Sequence, residues 1–375
     1  MERLRFAAAV VPIAAVFCGY AAHTARAAVA PAAAVQTGES APPGETMTMR
    51  RIVDAFERMV TQTYHKSGHG VRGAHAKGQG CVRATVRIAR NVPPPLRHGV
   101  FAAPTTYRAW VRFSNGAGEV RVDGAPDGRG MAIKLTGVAG PKLIDDERHT
   151  QDFVMINFPA FFISDVAEYE LLADALEKNR LPAFLKAHPE SAKLAAQIAG
   201  VPTHDLLRNS YFSMTPYLLG STYAKFGSFP VSCSGGAALT PDTTGGVADA
   251  DYLRERLVAS LSREPACFDL RLQPRTDPAT MPIENAMVTW EAAAAPFVTV
   301  ARVTIPPQTF DSPQQQTFCE NLSYSPWHGT SDFRPVGGLN RLRLFVYRAI
   351  SKLRHELNQA SFIEPTGSET FDNTP

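Results

Sequence analysis

The sequence lacks the usual marks of a metal–thiolate or dithiol-redox protein. It holds five cysteines in 375 residues. None stands in CxxC or CxxCH spacing, so a zinc ribbon, a thioredoxin-type site and a c-type heme attachment are unsupported. Charge of one sign is scarce as well. The net charge is +3, and Lys and Arg are spread along the chain, so no nucleic-acid partner is expected. No internal repeat appears, which leaves no ground for a solenoid. The one long apolar run is N-terminal: "MERLR" is basic, "FAAAVVPIAAVFCGYAA" is apolar, and "ARA" at 25–27 is a small-x-small cleavage signal. It is short and Ala-rich for a membrane span. Residues 1–27 are therefore expected to be a cleaved signal peptide, with a periplasmic or secreted mature chain from Ala28. Phe17 before Cys18 is too bulky for a lipoprotein signal. Cys81, Cys233, Cys267 and Cys319 remain, an even number compatible with disulfides in an oxidising compartment; their pairing is left open.

What is present suffices for a large core, with 45% hydrophobic and 19% charged residues. Residues 28–46, "AVAPAAAVQTGESAPPGET", read as a flexible linker. A helix is predicted over 48–65, where Ile52, Phe56 and Val60 recur at steps of four. The middle of the chain alternates. In "CVRATVRIAR", Val82, Ala84, Val86 and Ile88 share a face; in "TYRAWVRFSN", Val111 and Phe113 alternate with Arg112 and Ser114. "GMAIKLTGV", "DFVMINFPAFFI", "CFDLRLQP" and "VTVARVTIP" continue the strand pattern, which suggests antiparallel pairing. Helical periods cover 166–187 with a break at Pro182, then "SAKLAAQIAG", "DYLRERLVASLSRE" and "GLNRLRLFVYRAISKLRHELNQ". The fold class implied is α+β on a closed or strongly curved antiparallel sheet. Residues 363–375 read as a disordered tail.

Two segments carry chemistry. "RGAHAKGQG" (72–80) sets a histidine and three glycines just before a strand; a solvated loop and a catalytic histidine at the lip of a sheet are both open on that segment alone. Glycines 73, 78 and 80 would let backbone pass close to a flat ligand, though a plain turn needs glycine too. On a helix over 340–358, Arg343, Tyr347 and Arg354 fall at about 0°, about 40° and about 20°. Such a face can simply meet water. Alternatively, a guanidinium one turn away favours the phenolate of Tyr347, and a phenolate can ligate ferric iron.

Together these residues resemble the catalase superfamily. "RGAHAKGQG", "VRFSNGAGE", "DGRGMAIKL", "DFVMINFPAFFISD" and "RLFVY" match five of that family's segments in order, and "CENLSYSPWHGTSDFRPVGGLNR" is similar to its short catalase-related peroxidase branch. The resemblance implies an antiparallel β-barrel core of catalase type with flanking α-helices, a heme domain over 47–362, and heme b (iron) as cofactor. It implies that His75 is the acid–base residue, oriented by Ser114. Tyr347 would be the iron ligand and Arg343 its partner. Arg72, Arg112 and Arg354 would hold the propionates, and Phe161 would pack near the heme. Peroxide and a small organic reductant are the expected partners; the oligomeric state is open.

The match has departures. A gapless alignment sets Ile156 opposite the family's asparagine, with Asn157 one position on as the candidate substitute, so catalase activity is expected to be weak. Few residues follow the last helix and no GxGxxG-like cradle occurs, so no NADPH is expected. The leading reading is a peroxidase that reduces hydrogen peroxide or organic peroxides with an organic donor. The alternatives are a heme isomerase or dehydratase of fatty-acid hydroperoxides and a non-catalytic heme or lipid carrier.

Overall fold

The computed structural model describes residues 35–242 and 250–371, within a unit that begins at Ala32. The expected signal peptide, residues 28–34 of the expected linker and residues 372–375 of the expected tail lie outside the described residues.

Period-two alternation folds into a closed barrel. Strands β1 (Gly78–Ile88), β2 (Thr106–Asn115), β3 (Arg129–Thr136) and β4 (Thr150–Ile156) pair as an antiparallel meander. The short β5 (Tyr211–Phe212) joins β4 to β7 (Thr222–Val231). Then β8 (Ala266–Pro274) and β9 (Val298–Ile305) bring the sheet back to β1. Eight strands thus close on themselves. Two short strands, β6 (Tyr217–Leu219) and β10 (Phe333–Pro335), branch from β7. This is the closed antiparallel barrel with flanking helices that the resemblance implied.

The barrel is filled by the apolar half of each strand: Val82, Val86, Val111, Phe113, Ile133, Phe153, Phe226, Phe268 and Val303 form one cluster. The other half faces outward. There a second cluster packs α1 (Glu45–Ser67) against α7 (Gly338–Leu357) through Ile52, Phe56, Leu342, Phe345 and Ile350. Helices α2 (Val166–Glu177), α3 (Leu181–Ala187) and α4 (Pro189–Ala199) follow β4. The predicted break at Pro182 falls at residues 178–180, with Pro182 in the first turn of α3, where proline is tolerated. Helix α5 (Tyr252–Leu261) matches its periodic pattern. Helix α6 (Pro313–Asn321) has no apolar period strong enough to announce it; Ser312 caps it, and Gln315 donates to the Cys81 carbonyl at 2.8 Å.

Two expectations of disorder differ from what is seen. Residues 35–44 are not a free linker: Glu39 and Glu45 pair with buried Arg341 at 2.6 and 2.9 Å. A guanidinium out of water needs such partners, and composition does not reveal where they dock. Residues 363–371 are not a free tail either. Glu369 accepts a hydrogen bond from the Trp110 indole at 2.9 Å, and the Phe371 ring lies 5.1 Å from that of Phe318.

Cys233 and Cys267 form a disulfide, while Cys81 and Cys319 are buried thiols. Among the described residues no helix is long and apolar enough to cross a membrane.

Candidate active site

A cavity, partly open to solvent, lies between the outer face of β2–β4 and helices α1, α2 and α7. Eight of the nine residues singled out from the sequence line it: Arg72, His75, Arg112, Ser114, Phe161, Arg343, Tyr347 and Arg354.

His75 is held from several directions. Its backbone sits in the left-handed region at φ 58°, a conformation that costs a non-glycine residue about 1–3 kcal/mol. The surroundings enforce it: His75 N donates to Gly116 O at 3.0 Å, and Arg112 donates to His75 O at 3.1 Å. Strand alternation turns Val111 and Phe113 into the barrel and Arg112 and Ser114 outward. Ser114 Oγ meets His75 Nδ1 at 3.0 Å. Opposite Ser114, β3 carries Gly130, where any Cβ would come within 2.6 Å of His75 Nδ1. Glycine at 130 is the condition for histidine at 75. Burial, then the charges of Arg112 and Arg343, push the His75 pKa down to about 4. Near neutral pH the imidazole is uncharged and can accept a proton.

On α7, Arg343 donates to the Tyr347 hydroxyl at 3.2 Å and lies 5.2 Å over its ring. Arg343 is itself anchored to Thr215 Oγ1 at 3.3 Å and Asn340 Oδ1 at 3.2 Å. Thr215 precedes β6, so the branched strands help aim the arginine. The narrow face read from the helical period is the face turned to the cavity, not to water.

Arg72, Arg112 and Arg354 converge on one segment, residues 319–322. Arg72 and Arg112 pair with the Glu320 carboxylate, the second at 3.5 Å. Arg72 also donates to Leu322 O at 2.9 Å, and Arg354 donates to Glu320 O and Leu322 O. Burial opposes ionisation of Glu320, yet Arg72, Arg112 and Arg354 outweigh it and hold its pKa at about 2. Arg354 shows the excess of charge: burial and then Arg72 push it down to about 9. Three guanidiniums against one carboxylate leave two positive charges at the cavity wall. Among the described residues, buried Arg112 Nε also has no hydrogen-bond partner. The cluster is built for more anionic groups than the chain itself supplies.

Asn157 is the exception. Its Oδ1 accepts from Arg129 N at 2.8 Å, and its Nδ2 donates to Thr203 at 3.2 Å. It fastens the end of β4 to β3 and a following loop, and Ile156 faces the cavity in its stead. Glycines 73, 78 and 80 also differ from the reading as a ligand-hugging backbone. Only Gly73 lies at the cavity wall, against Phe56; Gly78 makes room for Arg112 and Gly80 for Phe310. Glu320, Gly130 and Thr215 have no signal in the sequence. Nothing in the neighbours of Glu320 announces that three arginines, each from a different part of the chain, will meet it.

No family model matches the chain. A curated protein named catalase-related peroxidase, from Mycolicibacterium paratuberculosis (strain ATCC BAA-968 / K-10), is 26% identical over 310 residues, covering 79% of this chain and 93% of that protein. Among solved structures, a bacterial catalase superposes with a TM-score of 0.60 at 18% identity over 84% of this chain. A fungal catalase gives 0.65 at 17% over 83%, and catalase A from Saccharomyces cerevisiae 0.63 at 16% over 83%. The chain covers 65% of the bacterial and fungal catalases and 67% of the yeast enzyme. The chain therefore has the fold of the catalases over more than four-fifths of its length, and its sequence is similar to that of a catalase-related peroxidase.

Proposed function

We propose that the chain is a heme-dependent peroxidase, reducing hydrogen peroxide or an organic peroxide at the expense of a small organic donor. One observation carries the reading: His75 with Ser114, and Tyr347 with Arg343, line the same cavity as an arginine cluster that has more positive charge than the chain neutralises. A heme fits that donor set. Tyr347 would hold the iron, and Arg72, Arg112 and Arg354 would hold the propionates, with Arg112 Nε gaining the partner it lacks.

Heme, when bound, supplies an iron that takes up peroxide and accepts its oxidising equivalents. The chain does the rest. Uncharged His75 would take a proton from one peroxide oxygen and give it to the leaving oxygen, so that water departs rather than hydroxide. Ser114 fixes the imidazole's orientation. Arg343 donates to the Tyr347 oxygen and holds it in place. Phe161, stacked at 15° on Tyr169, and Ile156 keep the wall apolar.

The test is reconstitution with hemin. Wild type should give a high-spin ferric spectrum with tyrosinate character, and Tyr347→Phe should lose it. His75→Ala should keep the spectrum and lose peroxide turnover. No heme uptake by wild type, or an unchanged spectrum in Tyr347→Phe, sinks the reading.

The apolar wall also favours a second one. With Asn157 engaged elsewhere and Ile156, Val154 and Met214 facing the cavity, a fatty-acid hydroperoxide would find an apolar channel and rearrange there. Product analysis with such a hydroperoxide separates the two: rearranged product without donor oxidation favours isomerisation or dehydration.

A further inference from the structure

Two cysteines outside the disulfide are brought together by the fold. Cys81 is on β1 and Cys319 on α6, at 3% and 6% exposure, in one small cluster with Trp110, Phe318 and Leu322. The Gln315 bond to the Cys81 carbonyl pins helix to strand at this level. The pair is not isolated from the cavity. Cys81 Sγ lies 3.8 Å from the Tyr324 hydroxyl, and Tyr324 lines the cavity wall. Nor is it isolated from the arginines: Arg72 donates to the Cys319 carbonyl at 3.1 Å, and the next residue is Glu320.

We propose that Cys81 and Cys319 form a dithiol that peroxide entering the cavity oxidises to a disulfide. The two thiols are unequal in the way such a pair requires. Burial disfavours a charge on Cys319, but the hydrogen bond from Cys81 and the positive charge of Arg112 and Arg72 bring its pKa below the ordinary thiol value. Burial, with Cys319 beside it, holds the Cys81 thiol well above that value. With the Arg72 guanidinium 3.1 Å from its carbonyl and the arginine cluster beside it, Cys319 is assigned as the attacking sulfur and Cys81 as the resolving one. The Cys319 thiolate attacks one peroxide oxygen; an S–O bond forms, the O–O bond breaks, and the leaving hydroxide takes up a proton as water. The Cys81 sulfur then attacks Cys319; the S–S bond forms, the S–O bond breaks, and the Cys81 proton leaves with the hydroxyl as a second water. Two thiols lose two electrons, and one peroxide gains them. The bond closes one residue from Glu320, so it ties the arginine cluster's own carboxylate to β1.

The inference needs peroxide but no heme, and it does not rest on the peroxidase reading. The heme-free chain is treated with equimolar hydrogen peroxide, denatured, alkylated and digested without reduction. Without peroxide, Cys81 and Cys319 should both carry the label. With it, both labels should vanish together and a peptide pair joined through these two residues should appear. Cys81→Ser should instead leave a Cys319 sulfenic acid that dimedone captures. A link already present in the purified chain supports the pair if it re-forms after reduction and peroxide. The inference falls if both cysteines stay labelled in excess peroxide. It falls equally if Cys319 is found joined to Cys233 or Cys267, or overoxidised without a link.

Discussion

The two faces of the barrel wall do opposite work with the same strands. Inward, β2 offers Val111 and Phe113 to a dry apolar core; outward, its Arg112 and Ser114 serve a charged cavity with a strained histidine. The inner face answers only to volume and shape, so changes there cost stability. The outer face holds groups that destabilise the fold by themselves: a left-handed His75, crowded guanidiniums, an unpartnered Arg112 Nε. The rigid interior is what makes an unrelaxed exterior sustainable.

That contrast can be broken experimentally. The largest effects should separate by face. Phe268→Ala on the inner face should cost about 3–5 kcal/mol, seen as a drop in denaturation midpoint; heme binding by the surviving folded fraction should be unchanged. His75→Ala on the outer face should do the reverse, lowering peroxide turnover by about 10²–10⁴-fold with little change in midpoint. Equal stability losses in both variants would erase the distinction.

Acid comes next. The folded His75 pKa, about 4, is below its unfolded value. Between the two, the unfolded chain binds more protons, so stability falls as pH falls through that window. Glu320, held at about 2, adds stability that is present above its unfolded pKa and lost as pH falls toward 2. Both act in one direction. Acid unfolding should therefore soften in His75→Ala and in Glu320→Gln, measured by denaturant midpoints across pH. The acid limb of peroxide turnover in wild type should follow His75, near pH 4.

The smallest effect should be the most pointed. His75→Gly removes the side chain and relieves the positive φ together, so it should be more stable than His75→Ala by about 1 kcal/mol, read as a higher midpoint. An equal or lower midpoint would show that the backbone there is not strained.

The alternating strands, most helices and the Arg343–Tyr347–Arg354 face were legible because each rests on a local period. Asn157 was not legible in this way: one residue along β4 reverses the side a side chain faces, and the alignment offered both positions. The docking of residues 35–44 and 363–371 escaped for another reason. Glu39, Glu369 and Phe371 look like ordinary surface residues until distant Arg341, Trp110 and Phe318 meet them. Glu320 belongs to the same class: a carboxylate defined by partners far away in sequence.

The closure of β9 onto β1 has a consequence in time. Thr85 to Ile88 wait for Ala301 to Thr304 before either edge is satisfied, and α7, which completes the cavity, is synthesised later still. A nascent chain emerging from the ribosome therefore carries an open sheet for most of its translation. The pocket cannot close until α7 is made, after every strand of the barrel, so any heme would be captured only after that helix has been synthesised.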